Sequence, residues 1–112
     1  MMEKKKVLII DDEEDFGFLL TEFFSAKGYS VFVARTIAQG MDLLKTERPQ
    51  FIFLDNILPD GYGWSKTDFI LMNYPESNLN LISAMEVPHT SSTSFRIFYK
   101  PFIKDELDKI FI

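Results

Sequence analysis

Three carboxylates, a hydroxyl and an ammonium stand at the ends of apolar runs in this 112-residue chain. Asp11 and Asp12 close Val7-Leu8-Ile9-Ile10, and Asp55 closes Phe51-Ile52-Phe53-Leu54. Ser83 follows Leu79, Leu81 and Ile82, and Lys100-Pro101 follows Phe95-Arg96-Ile97-Phe98-Tyr99. A lone Asp at such a junction can be a simple helix cap, but capping requires neither an Asp after the third run nor a Lys-Pro after the fifth. Converging carboxylates repel one another unless a cation offsets them. Mg²⁺ does so through one or two carboxylates and keeps waters that a phosphate can displace. Lys100 adds a second positive charge, able to reach a carboxylate or a phosphoryl oxygen. The combination suits phosphoryl transfer, where positioning and charge neutralisation supply most of the catalysis. The accepting atom is then a carboxylate oxygen, giving an acyl phosphate. Asp55 is the favoured acceptor because it stands singly, whereas Asp11 and Asp12 form a pair suited to holding metal.

Five short apolar runs follow one another along the chain, and four of them carry these residues. Val7–Ile10 is β-branched and apolar throughout, as a strand buried on both faces should be. Phe16, Leu19, Leu20, Phe23 and Phe24 then recur at the spacing of one helix stripe, which Gly28 stops. Val31-Phe32-Val33 reads as a second strand, and Ile37, Met41 and Leu44 as a second helix ended by Pro49. The third strand leads through Pro59-Asp60-Gly61-Tyr62-Gly63 to a helix from about Trp64 to Asn73. Two more strands follow, and a last helix carries Ile103, Leu107 and Ile110. Strands alternating with helices predict an α/β fold, a doubly wound five-stranded parallel sheet with right-handed crossovers. In such a sheet ligands bind beyond the carboxyl ends of the strands, so the residues named above share one rim. With no internal linker or repeat, residues 1–112 read as a single domain.

Composition narrows the function. Hydrophobic residues make up 46% of the chain, with twelve Phe, enough for a core and too much for a disordered chain. Asp and Glu number 17 against 12 Lys and Arg, a net charge of −5, which argues against nucleic-acid binding by this domain. Cys is absent, so there is no disulfide, thiolate metal site or cysteine nucleophile. No apolar run is long enough to span a membrane and the start lacks a secretory core, so the expected location is cytoplasmic. His89 is the single histidine and reads as a loop residue in a Ser/Thr-rich stretch. Lys4-Lys5-Lys6 reads as a solvated approach to the first strand, Phe18 as an exposed apolar residue, and Trp64 as helix-start packing.

The chain resembles the response-regulator receiver domain of bacterial two-component systems over nearly its whole length. The resemblance rests on Val7–Glu13, on Leu54-Asp55-Asn56-Ile57-Leu58-Pro59-Asp60-Gly61-Tyr62-Gly63, on Ser83-Ala84 and on Lys100-Pro101-Phe102. It implies a flavodoxin-like sheet with strand order 2-1-3-4-5 and Asp55 as phosphoacceptor. It implies Asp11 and Asp12 as the acidic pair around Mg²⁺, with the Ile57 main-chain carbonyl as a further ligand. Ser83 would be the hydroxyl that turns to the phosphoryl group and Lys100 its cationic partner, with a cis Lys100–Pro101 peptide. The donor would be a phosphohistidine on a sensor histidine kinase or a histidine phosphotransfer protein, and the output a contact with a downstream protein. The domain would be a signalling module, not an enzyme, promoting only its own phosphoryl uptake and slow hydrolysis.

Two departures stand out. The family usually places Tyr or Phe three residues before the Lys, where this chain has Ile97. Ala84–Ser94 must hold two loops and the fourth helix, leaving room for at most about two turns, and its Ser/Thr content is poor helix material. The fourth helix is therefore expected to be short or distorted. Ile57 and Met85, two residues after Asp55 and Ser83, offer apolar bulk against an attacking water. The leading expectation is a stand-alone receiver, although a receiver within a longer kinase or regulator would read the same. The alternative is a degenerate receiver acting as a phosphorylation-independent interaction module. A phosphatase, nucleotide or flavin site is disfavoured, because Asp11-Asp12-Glu13-Glu14-Asp15 would repel a phosphate that lacks a metal.

Overall fold

The computed structural model of the protein describes residues 4–84, 95–100, 107–109 and 111. The expected short fourth helix, Met85, His89, Ile103, Ile110 and the Lys100–Pro101 peptide lie outside the described residues.

The central apolar runs form strands whose side chains are covered on both faces, while the two edge runs are only partly covered. The elements are β1 (Lys6–Ile10), α1 (Glu14–Ala26), β2 (Ser30–Ala34), α2 (Ile37–Glu47) and β3 (Phe51–Asp55). A two-residue hairpin follows, β4 (Ile57–Leu58) and β5 (Gly61–Tyr62), then a 3₁₀ turn (Gly63–Lys66), α3 (Thr67–Asn73), β6 (Asn78–Ser83) and β7 (Phe95–Tyr99). Residues 107–109 are again helical. The main sheet is parallel, in the order β2-β1-β3-β6-β7. Counting only its own strands, that is the expected 2-1-3-4-5. The sequence predicts a turn where the β4–β5 hairpin lies, and a single helix from about Trp64 to Asn73 where a 3₁₀ turn precedes α3.

Alternation along the strands divides the core in two. Val7, Ile9, Phe53, Ile82 and Phe98 face α1 and the last helical residues, meeting Phe16, Leu20, Phe23, Phe24, Leu107 and Phe111. Leu8, Ile10, Ile52, Leu54, Leu79 and Leu81 face α2 and α3, meeting Ile37, Leu44 and Ile70. The abundance of Phe is explained on the first face. The fully buried Phe24 ring lies between 5.0 and 6.2 Å from those of Phe23, Tyr29, Phe51, Phe53 and Phe111. Phe18, off the stripe, is 67% exposed. Ile97 lies across from Leu81 and packs on the second face.

Gly28 ends α1 at φ 87°, a conformation that side chains other than glycine's disfavour. Gly17 is different: it lies inside α1, and an added Cβ would meet only Val33 Cγ1, at 3.8 Å. Gly17→Ala is therefore expected to raise stability by about 0.5–1 kcal/mol through helix propensity. Urea denaturation checks this, and an unchanged or lower midpoint would contradict it.

Candidate functional site

Parallel strands bring their carboxyl ends to one rim, and the register sets the spacing along it. Ile10 pairs with Leu54, Asp55 with Ile82 and Ser83 with Tyr99. Asp11 is locked by its N–H to the Ala34 carbonyl at 2.9 Å, and the Lys100 N–H extends the last ladder to the Ser83 carbonyl at 2.7 Å. Asp11, Asp55 and Ser83 are buried, while Asp12 is exposed.

Oxygens of Asp11, Asp12 and Asp55 come within 4.8 Å of one another. Lys100 Nζ lies 2.8 Å from Asp11 Oδ2, 3.0 Å from Glu13 Oε2 and 4.0 Å from Asp55 Oδ1. The structure thus brings four of the expected site residues together. Ser83 stands at the same rim, ending β6. Ile57 lies two residues beyond Asp55 in β4, its side chain 65% exposed.

Electrostatics follows from this crowding. Burial, and then the Asp11 charge, push the Asp55 carboxyl up from 3.8 to about 6, with Lys100 and the Asn56 N–H pulling the other way. Burial works against the Lys100 ammonium, and its contacts with Asp11 and Glu13 more than offset that, leaving its pKa above the ordinary lysine value. Asp11 and Asp55 are buried and share one ammonium, so their negative charge is only partly offset. Three converging carboxylates, all hard oxygen donors, fit a divalent cation.

Several contributing residues were not anticipated. Asp60 caps α2 from outside, Oδ1 accepting from Ile37 N–H at 2.8 Å and Oδ2 from Ala38 N–H at 3.0 Å. Those two bonds hold its carboxyl below the usual range. Thr36 completes the cap by accepting from Gln39 N–H. The loop after Asp55 is closed by Gly63 N–H to the Asn56 carbonyl at 2.7 Å and by Trp64 N–H to Asn56 Oδ1 at 3.2 Å. Trp64 packs on the second core face as expected, and its indole N–H also donates to the Leu54 carbonyl at 3.1 Å. Glu13 was legible only as one of a run of acids.

The family described as the response regulator receiver domain matches residues 7–111. Over 62 residues the chain is 38% identical to sporulation initiation phosphotransferase F of Bacillus subtilis, covering 55% of this chain and 50% of that protein. It spans only about a quarter of the transcriptional regulators it also matches. A two-component response regulator from Clostridium difficile superposes with TM-score 0.83 at 24% identity, covering 95% of this chain and 91% of that one. A response regulator from Burkholderia pseudomallei, solved with a phosphorylated aspartic acid, calcium ion and citrate, gives TM-score 0.78 at 22% identity, covering 93% and 64%. These structural likenesses establish the fold.

Proposed function

Because the chain belongs to the response regulator receiver domain family, the receivers of two-component signalling, we infer that Asp55 is its phosphoryl acceptor. The observation that carries this reading is Asp55's place at the end of β3, within 4.8 Å of Asp11 and Asp12 and beside Lys100. In the reaction an Asp55 carboxylate oxygen forms a bond to phosphorus as the donor's P–N bond breaks. The electron pair leaves with the donor imidazole, and water later returns carboxylate and inorganic phosphate.

Receiver domains hold a divalent metal through acidic residues. Here Asp11, Asp12 and Asp55, with the Ile57 carbonyl, would hold Mg²⁺, which when bound supplies charge neutralisation for the entering phosphoryl group. Lys100 would meet a phosphoryl oxygen, and the Ser83 hydroxyl would turn to donate to another. Receiver domains work between histidine kinases and downstream effectors. For this chain the donor would be a sensor histidine kinase or histidine phosphotransfer protein, and the output a protein–protein contact. We take residues 1–112 as one receiver domain acting in the cytoplasm. Among the described residues no helix is long and apolar enough to cross a membrane.

The test is labelling by a small phosphodonor with and without Mg²⁺. Stoichiometric, metal-dependent uptake that Asp55→Asn removes supports this reading; uptake unaffected by that change refutes it. Hydrolysis gives a second expectation. The exposed apolar side chain of Ile57, two residues after Asp55, can obstruct an attacking water, so Ile57→Asn should shorten the phosphoryl lifetime several-fold. Decay of the labelled protein after donor removal measures it, and an unchanged half-life would count against the obstruction.

A further inference from the structure

Lys100 is held by groups from β3, from α1 and from the turn that joins β1 to α1. Besides Asp11, Glu13 and Asp55, its ammonium has the Phe16 ring 4.7 Å away, in a cation–π contact. The Glu13 N–H donates to Asp11 Oδ1 at 2.9 Å, fixing the turn from which the Glu13 carboxylate reaches the ammonium. Phe16 sits within the first turn of α1 and is buried. Of the three carboxylates around Lys100, Asp55 is the most distant. Glu13 stands outside the metal-competent cluster, which consists of Asp11, Asp12 and Asp55. It is also the partner most easily returned to water, with its side chain 57% exposed against 0% for Asp11.

We propose that Glu13 is a positioning residue that holds the Lys100 ammonium at the start of α1 until a phosphoryl group on Asp55 competes for it. The proposal rests on the reading of Asp55 as acceptor and Lys100 as its cationic partner. An ammonium has three N–H donors, and at rest they are drawn toward Asp11 and Glu13. On phosphorylation the Glu13 contact opens and its carboxylate becomes solvated. The ammonium then pivots to a phosphoryl oxygen while the Phe16 ring still covers its flank. No proton moves in this exchange. The Glu13 contact holds the ammonium nearer to Glu13 than to Asp55, so pairing with Glu13 and pairing with the phosphoryl group compete, and each weakens the other.

The experiment compares phosphoryl uptake from acetyl phosphate, with Mg²⁺ present, for the unaltered chain, Glu13→Gln, Lys100→Met and the double variant. Glu13→Gln is expected to raise the maximal rate about two- to five-fold, the ratio an exposed ion pair corresponds to. The donor concentration at half-maximal rate should change less than two-fold. In the Lys100→Met background the same substitution should do nothing, and Glu13→Asp, which keeps the charge, should return the rate toward that of the unaltered chain. The ¹⁵N signal of the Lys100 ammonium in the metal-free protein gives an independent readout, and it should shift or broaden in Glu13→Gln. Equal acceleration with and without Lys100 would mean that the charge acts on the donor through space, which overturns the proposal. So would an inert Glu13→Gln or an unmoved ammonium signal. If Asp55→Asn takes up phosphoryl groups normally, or Lys100→Met has no effect, the site reading falls and this proposal with it. If those controls behave and Glu13→Gln alone is inert, only the role of Glu13 is lost.

Discussion

Asp55→Asn is expected to abolish phosphoryl uptake and at the same time to make the fold more stable at neutral pH. The first effect follows from the proposed role of Asp55 as acceptor, since a carboxamide at the same place does not form an acyl phosphate. The second follows from the titration. Asp55 holds its proton more tightly in the folded protein, at about 6, than at its ordinary value of 3.8. Its protonated form therefore favours folding. That contribution is full below pH 3.8 and is lost as the pH rises through 6. Above pH 6 the buried charge beside Asp11 is a standing cost, which asparagine removes. The full shift would correspond to about 3 kcal/mol, and solvent screening at the open rim reduces the expected gain to about 1 kcal/mol. That is about 4 °C in Tm for a domain of this size. Thermal melts at pH 7.5 and pH 4 check the sign: the gain should be present at the first and largely gone at the second. With Asp55 as a metal ligand, as proposed, the same titration is expected to make metal binding fall about ten-fold per pH unit below pH 6, because proton and cation compete for one carboxylate. Calorimetric titration with Mg²⁺ at pH 7.5 and pH 5 reads that directly. Equal affinities at the two pH values would remove Asp55 from the metal site.

Gly63→Ala is expected to damage both the fold and the site from a position that touches no ligand. An added Cβ would fall well inside the van der Waals surface of the Asp55 carbonyl oxygen, and would lie 3.0 Å from both Leu54 Cδ1 and Leu58 Cδ1. The two leucine methyls can give a few tenths of an ångström, but the carbonyl belongs to the backbone of β3 and cannot. The loop must therefore open, breaking the Gly63 N–H bond to the Asn56 carbonyl. Overpacking of this kind costs about 1–3 kcal/mol and the lost hydrogen bond about 1 kcal/mol, so about 3 kcal/mol in all is expected. Moving the acceptor by about 1 Å should also cut phosphoryl uptake by about 10²-fold. Urea denaturation measures the first effect and donor labelling the second. An alanine variant with an unchanged midpoint would show that the close approach is not obligatory.

What was legible in the sequence is what depends on one strand at a time. Val7–Ile10 and Phe51–Leu54 are apolar without interruption, so their burial on both faces could be read directly, and with it a parallel sheet. Once the sheet is parallel, Asp11, Asp55, Ser83 and Lys100 must share a rim, because each follows its run. The resemblance to the receiver family supplied the strand order, which periodicity alone does not determine. The illegible part consists of contacts between side chains on different elements. Nothing about Asp60 in its own loop says that it will cap a helix beginning 23 residues earlier. The indole N–H of Trp64 finds the Leu54 carbonyl only because the 3₁₀ turn carries it back over β3. Pro59-Asp60-Gly61 signals a turn without saying that Ile57 and Tyr62 will pair across it. Glu13 belongs to an acidic run that reads as uniform, yet only its carboxylate joins Asp11 and Asp55 around Lys100.

The bond from Trp64 to the carbonyl just before Asp55 has a practical outcome. The chain contains a single tryptophan, so emission excited at the red edge, beyond the tyrosine absorption, has one source, tethered to the strand that ends at Asp55. Any event that shifts the end of β3 alters that tether. Under the proposed reading of Asp55, that emission is expected to change when the site is filled, readable in real time without a dye or a radioactive label.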